Sequence, residues 1–238
     1  MTVFFLSSLI FLFAGLIQGL TGFGGGLVAI PLLCLIMDVK FAIPLAILNG
    51  LVITTTMAYT LRSFLDWRKI LPLLIGSIPG VFAGTLLLKL ADPVVLNRLL
   101  GVLLISISAL NLIIKPKPLN PSLLWGYIAG FFSGAINAAV GAGGPPAIIY
   151  TTLTHWKKDE IKATLSGFFM LNGYLTVVVY AFHGMITANT LTSFVFTLFF
   201  VVLGTFAGSR ISGRINRRAY LRIVYILLLG LGIFMLLR

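Results

Sequence analysis

Two clusters of glycine and proline, GLTGFGGGLVAIP at 19–31 and GAGGPPAIIY at 141–150, interrupt segments that otherwise read as continuous apolar helices. In hydrocarbon such an interruption strips backbone N–H and C=O groups of their helical partners, at several kcal/mol each, and it persists only where protein or a water-filled cavity satisfies them. A chain that carries two of them must fold so as to bring both breaks into its interior.

The surrounding sequence leaves no doubt about the solvent. Hydrophobic residues make up 59% of the 238 and charged residues 9%, against roughly 25% charged in a soluble domain. Apolar runs recur at 42–61, 70–88, 99–114, 163–182, 191–208 and 223–237, and a spanning helix needs about 20 residues. The fold expected is an all-α integral membrane protein with no room for a soluble domain. The first apolar run has no Lys or Arg before it, so a cleaved secretory leader is not expected. Cys34 is the single cysteine; it can close no internal disulfide, contributes to no metal cluster, and reads as a small buried apolar side chain.

The two halves resemble each other. GFGGGLVAIP at 22–31 aligns with GAGGPPAIIY at offset 119, LNG at 48–50 with LNG at 171–173 at offset 123, and GVFAG at 80–84 with GTFAG at 204–208 at offset 124. Three matches in one order with slowly drifting offsets define two repeats, 1–114 and 122–238, joined by the proline-rich KPKPLNP at 115–121, read as a cytoplasmic linker.

Loop charge orients them. In each repeat the segment after the break is short, about 12 residues over 26–37, reaching about 18 Å at 1.5 Å per residue, less than the roughly 30 Å of a full crossing. If each broken segment is a hairpin that leaves on the side where it began, 13 of the 17 Lys and Arg residues share one side through loops 62–69, 115–121, 155–162 and 210–222. If each counted as one crossing, the split would be 11 to 6. The positive-inside rule selects the hairpin. A hairpin plus three transmembrane helices is an odd number of crossings, so the repeats are expected to be inverted, with both termini outside the cytoplasmic (inner) membrane of a prokaryote. The net charge of +12 then reflects cytoplasmic loops; no basic segment interleaves with exposed aromatics, and nucleic acid is not an expected partner.

Paired broken helices with their N-termini aimed inward present free N–H groups and a positive dipole end, which suits an anion. The expected site takes backbone groups at Gly22, Gly24, Gly25 and Gly26 in the first repeat and at Gly141, Gly143, Gly144 and Pro145 in the second, a proline at the first helical turn being favourable. Asn49 and Asn172 are repeat equivalents inside apolar helices and would add amide donors; Gln18, Thr21, Ser133 and Asn137 flank the breaks. Thr54, Thr55 and Thr56 are weaker candidates because they can bond their own helix. The scattered glycines Gly76, Gly80, Gly84, Gly204 and Gly208 read as helix-packing positions. All five acidic residues, Asp38, Asp66, Asp92, Asp159 and Glu160, fall in expected loops, and His155 and His183 at helix ends. No buried acid argues for a proton relay, no cofactor or metal is called for, and neither a nucleophile with a base nor a carboxylate pair supports an intramembrane enzyme. Transport of a small anion by alternating access is the leading expectation, with an anion channel as the alternative.

With these motifs, GLTGFGGGLVAIPLL at 19–33 and GAGGPPAIIY at 141–150 together with the repeated LNG and FAG, the chain resembles the sulfite exporter TauE/SafE family of membrane permeases along essentially its whole length. The resemblance implies a transporter of sulfur-containing anions such as sulfite, thiosulfate or an organosulfonate like sulfoacetate. The second repeat departs from the first pattern, with Pro145 in place of Gly26 and Tyr150 in place of Pro31. The expected partners are the lipid bilayer and that substrate, with homo-oligomerisation left open. With both termini outside, Arg238→Cys is expected to react with an impermeant thiol reagent applied from the periplasmic side; labelling only from the cytoplasm would overturn the orientation.

Overall fold

The computed structural model describes residues 2–22, 24–113, 119–211 and 217–237. Most of the linker at 115–121, and Lys115, Lys117, Arg214 and Arg238 of the charge count, lie outside the described residues. Ten α-helices follow in order: α1 Thr2–Thr21, α2 Gly25–Cys34, α3 Val39–Thr60, α4 Trp67–Leu90, α5 Pro93–Ile113, α6 Leu123–Val140, α7 Gly144–Thr152, α8 Lys158–Phe182, α9 Ala188–Ile211 and α10 Arg217–Leu237, with one 3-10 turn at Arg62–Phe64. No strand occurs among the described residues. Among the described residues seven helices, α1, α3, α4, α5, α6, α8 and α9, are long and apolar enough to cross a membrane, and the chain is a multi-pass integral membrane protein. The sequence of lengths long, short, long, long, long appears twice, with the short members α2 and α7 directly after the glycine clusters.

The outer surface carries large apolar side chains, among them Phe5, Val195, Phe196 and Phe199, each at least 59% exposed. In water such a surface would aggregate, whereas lipid is its natural solvent. Acidic residues sit where backbone N–H groups are orphaned. The Asp38 carboxylate accepts from Lys40 N (2.8 Å) at the start of α3 and that of Asp66 from Arg68 N (2.9 Å) at the start of α4, the N-cap arrangement. Asp159 and Glu160 belong to the first turn of α8, one step inside the helix rather than in the loop the sequence suggested, and there they oppose the positive end of its dipole.

Helix ends meet in two groups. Leu119 N and Asn120 N, just before α6, donate to Leu153 O, just after α7, at 2.8 and 3.0 Å, so the second broken segment finishes beside its own beginning. Lys69 joins the start of α4 to the start of α8 through Glu160 at 3.0 Å. At the other group, Lys40 Nζ donates to Lys89 O at 3.1 Å, tying the start of α3 to the end of α4. One cavity there is lined by Val3, Phe4 and Ser7 together with Met37 and Phe41, which places the beginning and end of the first broken segment side by side.

The halves are interlocked by exchange. α1 packs along α9 and α6 along α4, while α3 meets α8 and α5 meets α10. At the seams glycines let backbones touch, as the sequence suggested for the scattered ones. A Cβ on Gly80 or Gly84 would strike the carbonyl of Phe131 or Ala135, and one on Gly134 that of Ser77. The other seam repeats each contact: Gly204 against Leu12, Gly208 against Leu16, Gly15 against Val201. Adding 124 in α4 and 119 in α1 relates each of these three pairs to its counterpart in the other seam. Residue numbers rise together along both seams, so these helices run parallel. In α5 and α10 they run oppositely, Gly101 lying against Gly232 and Leu236 while Gly232 lies against Gly101, Leu104 and Ile105.

Small residues at such seams replace the hydrophobic driving force that lipid removes. Gly80→Val and Gly204→Val are therefore each expected to destabilise the protein by about 3 kcal/mol, because a rigid main chain stands in the way of the new side chain. Gly230→Ala, where no atom lies within 4 Å, should change stability by no more than about 0.5 kcal/mol. Thermal unfolding in detergent measures all three; equal tolerance of the three substitutions would remove the packing role of the seams.

Candidate functional site

Each break is built from a positive-φ glycine and a side chain reaching back from the preceding helix. In the first, Gly22 (φ 91°) and Gly24 (φ 94°) take a conformation that costs an L-residue about 1–2 kcal/mol and turn the chain from α1 into α2. Gln18 holds both sides of this turn: its carbonyl accepts from Gly22 N at 2.7 Å and its buried Oε1 from Gly25 N at 3.0 Å. In the second, Gly141 (φ 65°) ends α6 and donates its N–H to Asn137 O at 2.8 Å. The Ser133 hydroxyl donates to the Gly143 carbonyl. Pro145 and Pro146 then occupy the first turn of α7.

Between the breaks lies a cavity of about 90 Å³, room for several waters or one small solute. Its wall is drawn from both halves in matched pairs: Gln18 with Asn137, Gly24 with Gly143, Ala46 with Phe169, and Gly50 with Gly173. The same offsets, 119 in the broken segments and 123 in α3 and α8, relate every pair. Both short helices begin at this cavity, α2 at Gly25 and α7 at Gly144, and first-turn N–H groups have no acceptor within their own helix. The halves differ in how many they offer. Gly25 N is taken by Gln18, which leaves Gly26 and Leu27 of the cavity wall, whereas the equivalent positions of α7 are Pro145 and Pro146, which carry no N–H. The second half supplies the Asn137 amide and Gly144 instead. No Asp, Glu, Lys, Arg or His belongs to the wall, and among the described residues no cluster of three metal-ligating side chains occurs. Such an arrangement can solvate a small anion with neutral donors.

The sequence-expected site residues divide accordingly. Gln18, Gly24, Gly26, Asn137, Gly141, Gly143 and Gly144 come together in the wall. Gly25 stands behind it, bonded to Gln18, and Ser133 stands behind Gly143. Pro145 is half-buried in the first turn of α7, outside the wall. Thr21 and Gly22 line a different cavity, with Lys162 and Trp156. Asn49 spends its amide elsewhere: Nδ2 donates to Leu45 O and to the Thr197 hydroxyl, both at 3.0 Å. Asn172, 1% exposed, has no hydrogen-bond partner for Nδ2 or Oδ1 among the described residues; the repeat counterpart of Thr197 is Leu73, which has nothing to offer an amide. The repeated LNG therefore reaches the wall through its glycines, Gly50 and Gly173, and not through its asparagines. Of the three threonines, only Thr54 lines the cavity.

With this geometry in place, comparison with known proteins gives a consistent result. The sequence model of the family described as "Sulfite exporter TauE/SafE" matches residues 7–235. A relative from Cupriavidus necator, named "Probable sulfite/organosulfonate exporter TauE", is 25% identical over 229 residues, covering 90% of this chain and 86% of the relative. No solved structure matches the chain.

The Gln18–Gly25 contact yields a direct test of how the break is held. Gln18→Leu leaves a buried N–H without an acceptor, which costs about 1–3 kcal/mol, and thermal unfolding should show that loss; an unchanged midpoint would mean that the α2 N-terminus is satisfied by something else.

Proposed function

Because the chain belongs to the sulfite exporter TauE/SafE family, whose members are membrane transporters and not enzymes, we propose that it is a secondary transporter of a small sulfur oxyanion or organosulfonate, working by alternating access. The observation that carries this reading is the cavity wall: two helix N-termini and the amides of Gln18 and Asn137, with no charged side chain. Neutral donors and dipole ends stabilise an anion without trapping it as a fixed cation would, which suits a site that must release what it binds. The backbone N–H groups of Gly26, Leu27 and Gly144 and the Asn137 amide bind the anionic oxygens.

The two halves, 1–114 and 122–238, are inverted repeats in this reading. The antiparallel register of α5 with α10, together with the parallel seams, supports it, since halves of equal orientation would make all three pairs parallel. Both termini lie outside and the linker is cytoplasmic, in the inner membrane of a prokaryote; the grouping of the end of α7 with the starts of α4, α6 and α8 agrees with the basic loops lying together. In this reading the moving parts follow the exchanged seams. α1 is tied to α9 and α4 to α6 by main-chain contact, so each rocking body combines helices of both halves.

In proteoliposomes the purified protein is expected to move sulfite, thiosulfate or a sulfonate in a slow, saturable manner. Asn137→Asp, nearly isosteric, places a negative charge at the cavity and should weaken apparent anion affinity by at least about tenfold while leaving the protein folded. Absence of flux for all sulfur anions, carboxylates and halides would overturn the class, and single-channel currents would replace the transporter by a channel.

A further inference from the structure

A second cavity, of about 300 Å³, lies beside the first break and is not used by the site described above. Thr21, Gly22, Thr152, Trp156, Lys158 and Lys162 contribute to it. Gly22 belongs to this cavity and Gly24 to the central one, so the walls of the two spaces come within about 7 Å of each other, the most that two peptide units span. The methylene chain of Lys162 lies over Gly22, with Cγ, Cδ and Cε 3.7–3.9 Å from the position of an added Cβ. Two lysines thus belong to the wall and no Asp or Glu does. Of the two acids in the first turn of α8, Asp159 and Glu160, Glu160 is held by Lys69 at 3.0 Å, and Lys69 itself sits over the Trp156 ring at 5.1 Å.

The equivalent place in the other half is shut. Beside Gly141, the counterpart of Gly22, an added Cβ would meet Ile30 and Ile43, both fully buried; the counterpart of Lys162 there is Val39. One break is therefore approached through a basic cavity and its partner through packed aliphatic side chains.

We propose that the cavity carrying Lys158 and Lys162 is an anion-gathering vestibule. It draws the small oxyanion from the side bearing the 153–157 loop and delivers it past the Gly22–Gly24 turn to the central cavity. The two lysines raise the local concentration of anions and do not form the final site, because they are absent from its wall. This rests on the transport reading given above, and it assigns the vestibule to a free anion and not to an anionic lipid headgroup.

The test uses the full chain with Cys34→Ala and Thr152→Cys, reconstituted in neutral phosphatidylcholine, with reagents applied from the side of the 153–157 loop. Thr152→Cys should react faster with an anionic than with a cationic thiol reagent, and Lys158→Gln with Lys162→Gln should reduce that preference by about tenfold. Methanesulfonate, an anion that does not react with thiol reagents, should slow the labelling, and rising ionic strength should erase the preference. The same lysine pair should raise the KM for sulfite offered from that side with kcat within about twofold, and arginine at both positions should restore it. An unchanged reagent preference overturns the vestibule even if transport is confirmed. A KM raised equally from both sides overturns it too, as does protection of the thiol by phosphatidylglycerol and not by methanesulfonate. Loss of reagent preference in a protein that moves no anion would instead refute the transport reading and leave the basic cavity in place.

Discussion

Everything in this molecule depends on finding hydrogen-bond partners for a main chain that stops being helical inside a membrane. Hydrocarbon offers none, so each interrupted segment has to supply its own. Gln18 answers the first break by accepting from Gly25 N with its side chain and from Gly22 N with its carbonyl. Asn137 and Ser133 answer the second, through the Gly141 N–H and the Gly143 carbonyl. Because these partners come from the helix immediately before each break, the turns are held locally, and the N–H groups left over point to one shared space.

That space exists because the two halves grip each other by exchange. The glycine contacts along α4 with α6 and along α1 with α9 bring main chain against main chain, an approach that any side chain would block. Dispersion and close packing do here what the hydrophobic effect does in water. The seams are rigid, whereas the cavity wall between them is built largely of glycine and alanine and few side-chain hydrogen bonds. The difference in construction separates the parts that carry the fold from the part proposed to accommodate a solute.

Much of this was legible in the sequence. The lengths of the arms, the repeat offsets and the absence of an intramembrane acid are written in residue types, and the paired glycine clusters do meet at one cavity. The rotation of each helix about its own axis was not legible. LNG recurs in both halves, and an asparagine in an apolar helix is the conspicuous residue, yet Asn49 turns to Thr197 while Gly50, one step of about 100° further on, faces the cavity. Thr21 and Gly22 were read with Gly24 as one cluster, and the left-handed turn divides them between two spaces. The pairing of Gln18 with Asn137 across the repeats was available from the offset of 119, but their different side chains concealed it.

The sequence by itself determined that the chain crosses a membrane several times, that each half breaks once at a glycine cluster, and that no buried carboxylate serves the interior. These follow from solvation: hydrocarbon sorts residue types by the cost of burying their polar groups. The tertiary structure decided which helices exchange partners, which side of each uniformly apolar helix faces the cavity, and why one break opens on lysines while its counterpart is sealed by isoleucines. A helix that is apolar all round carries no stripe to fix its rotation. Only the close approach permitted by glycines on neighbouring helices sets it, and that is a property of pairs of segments far apart in the chain.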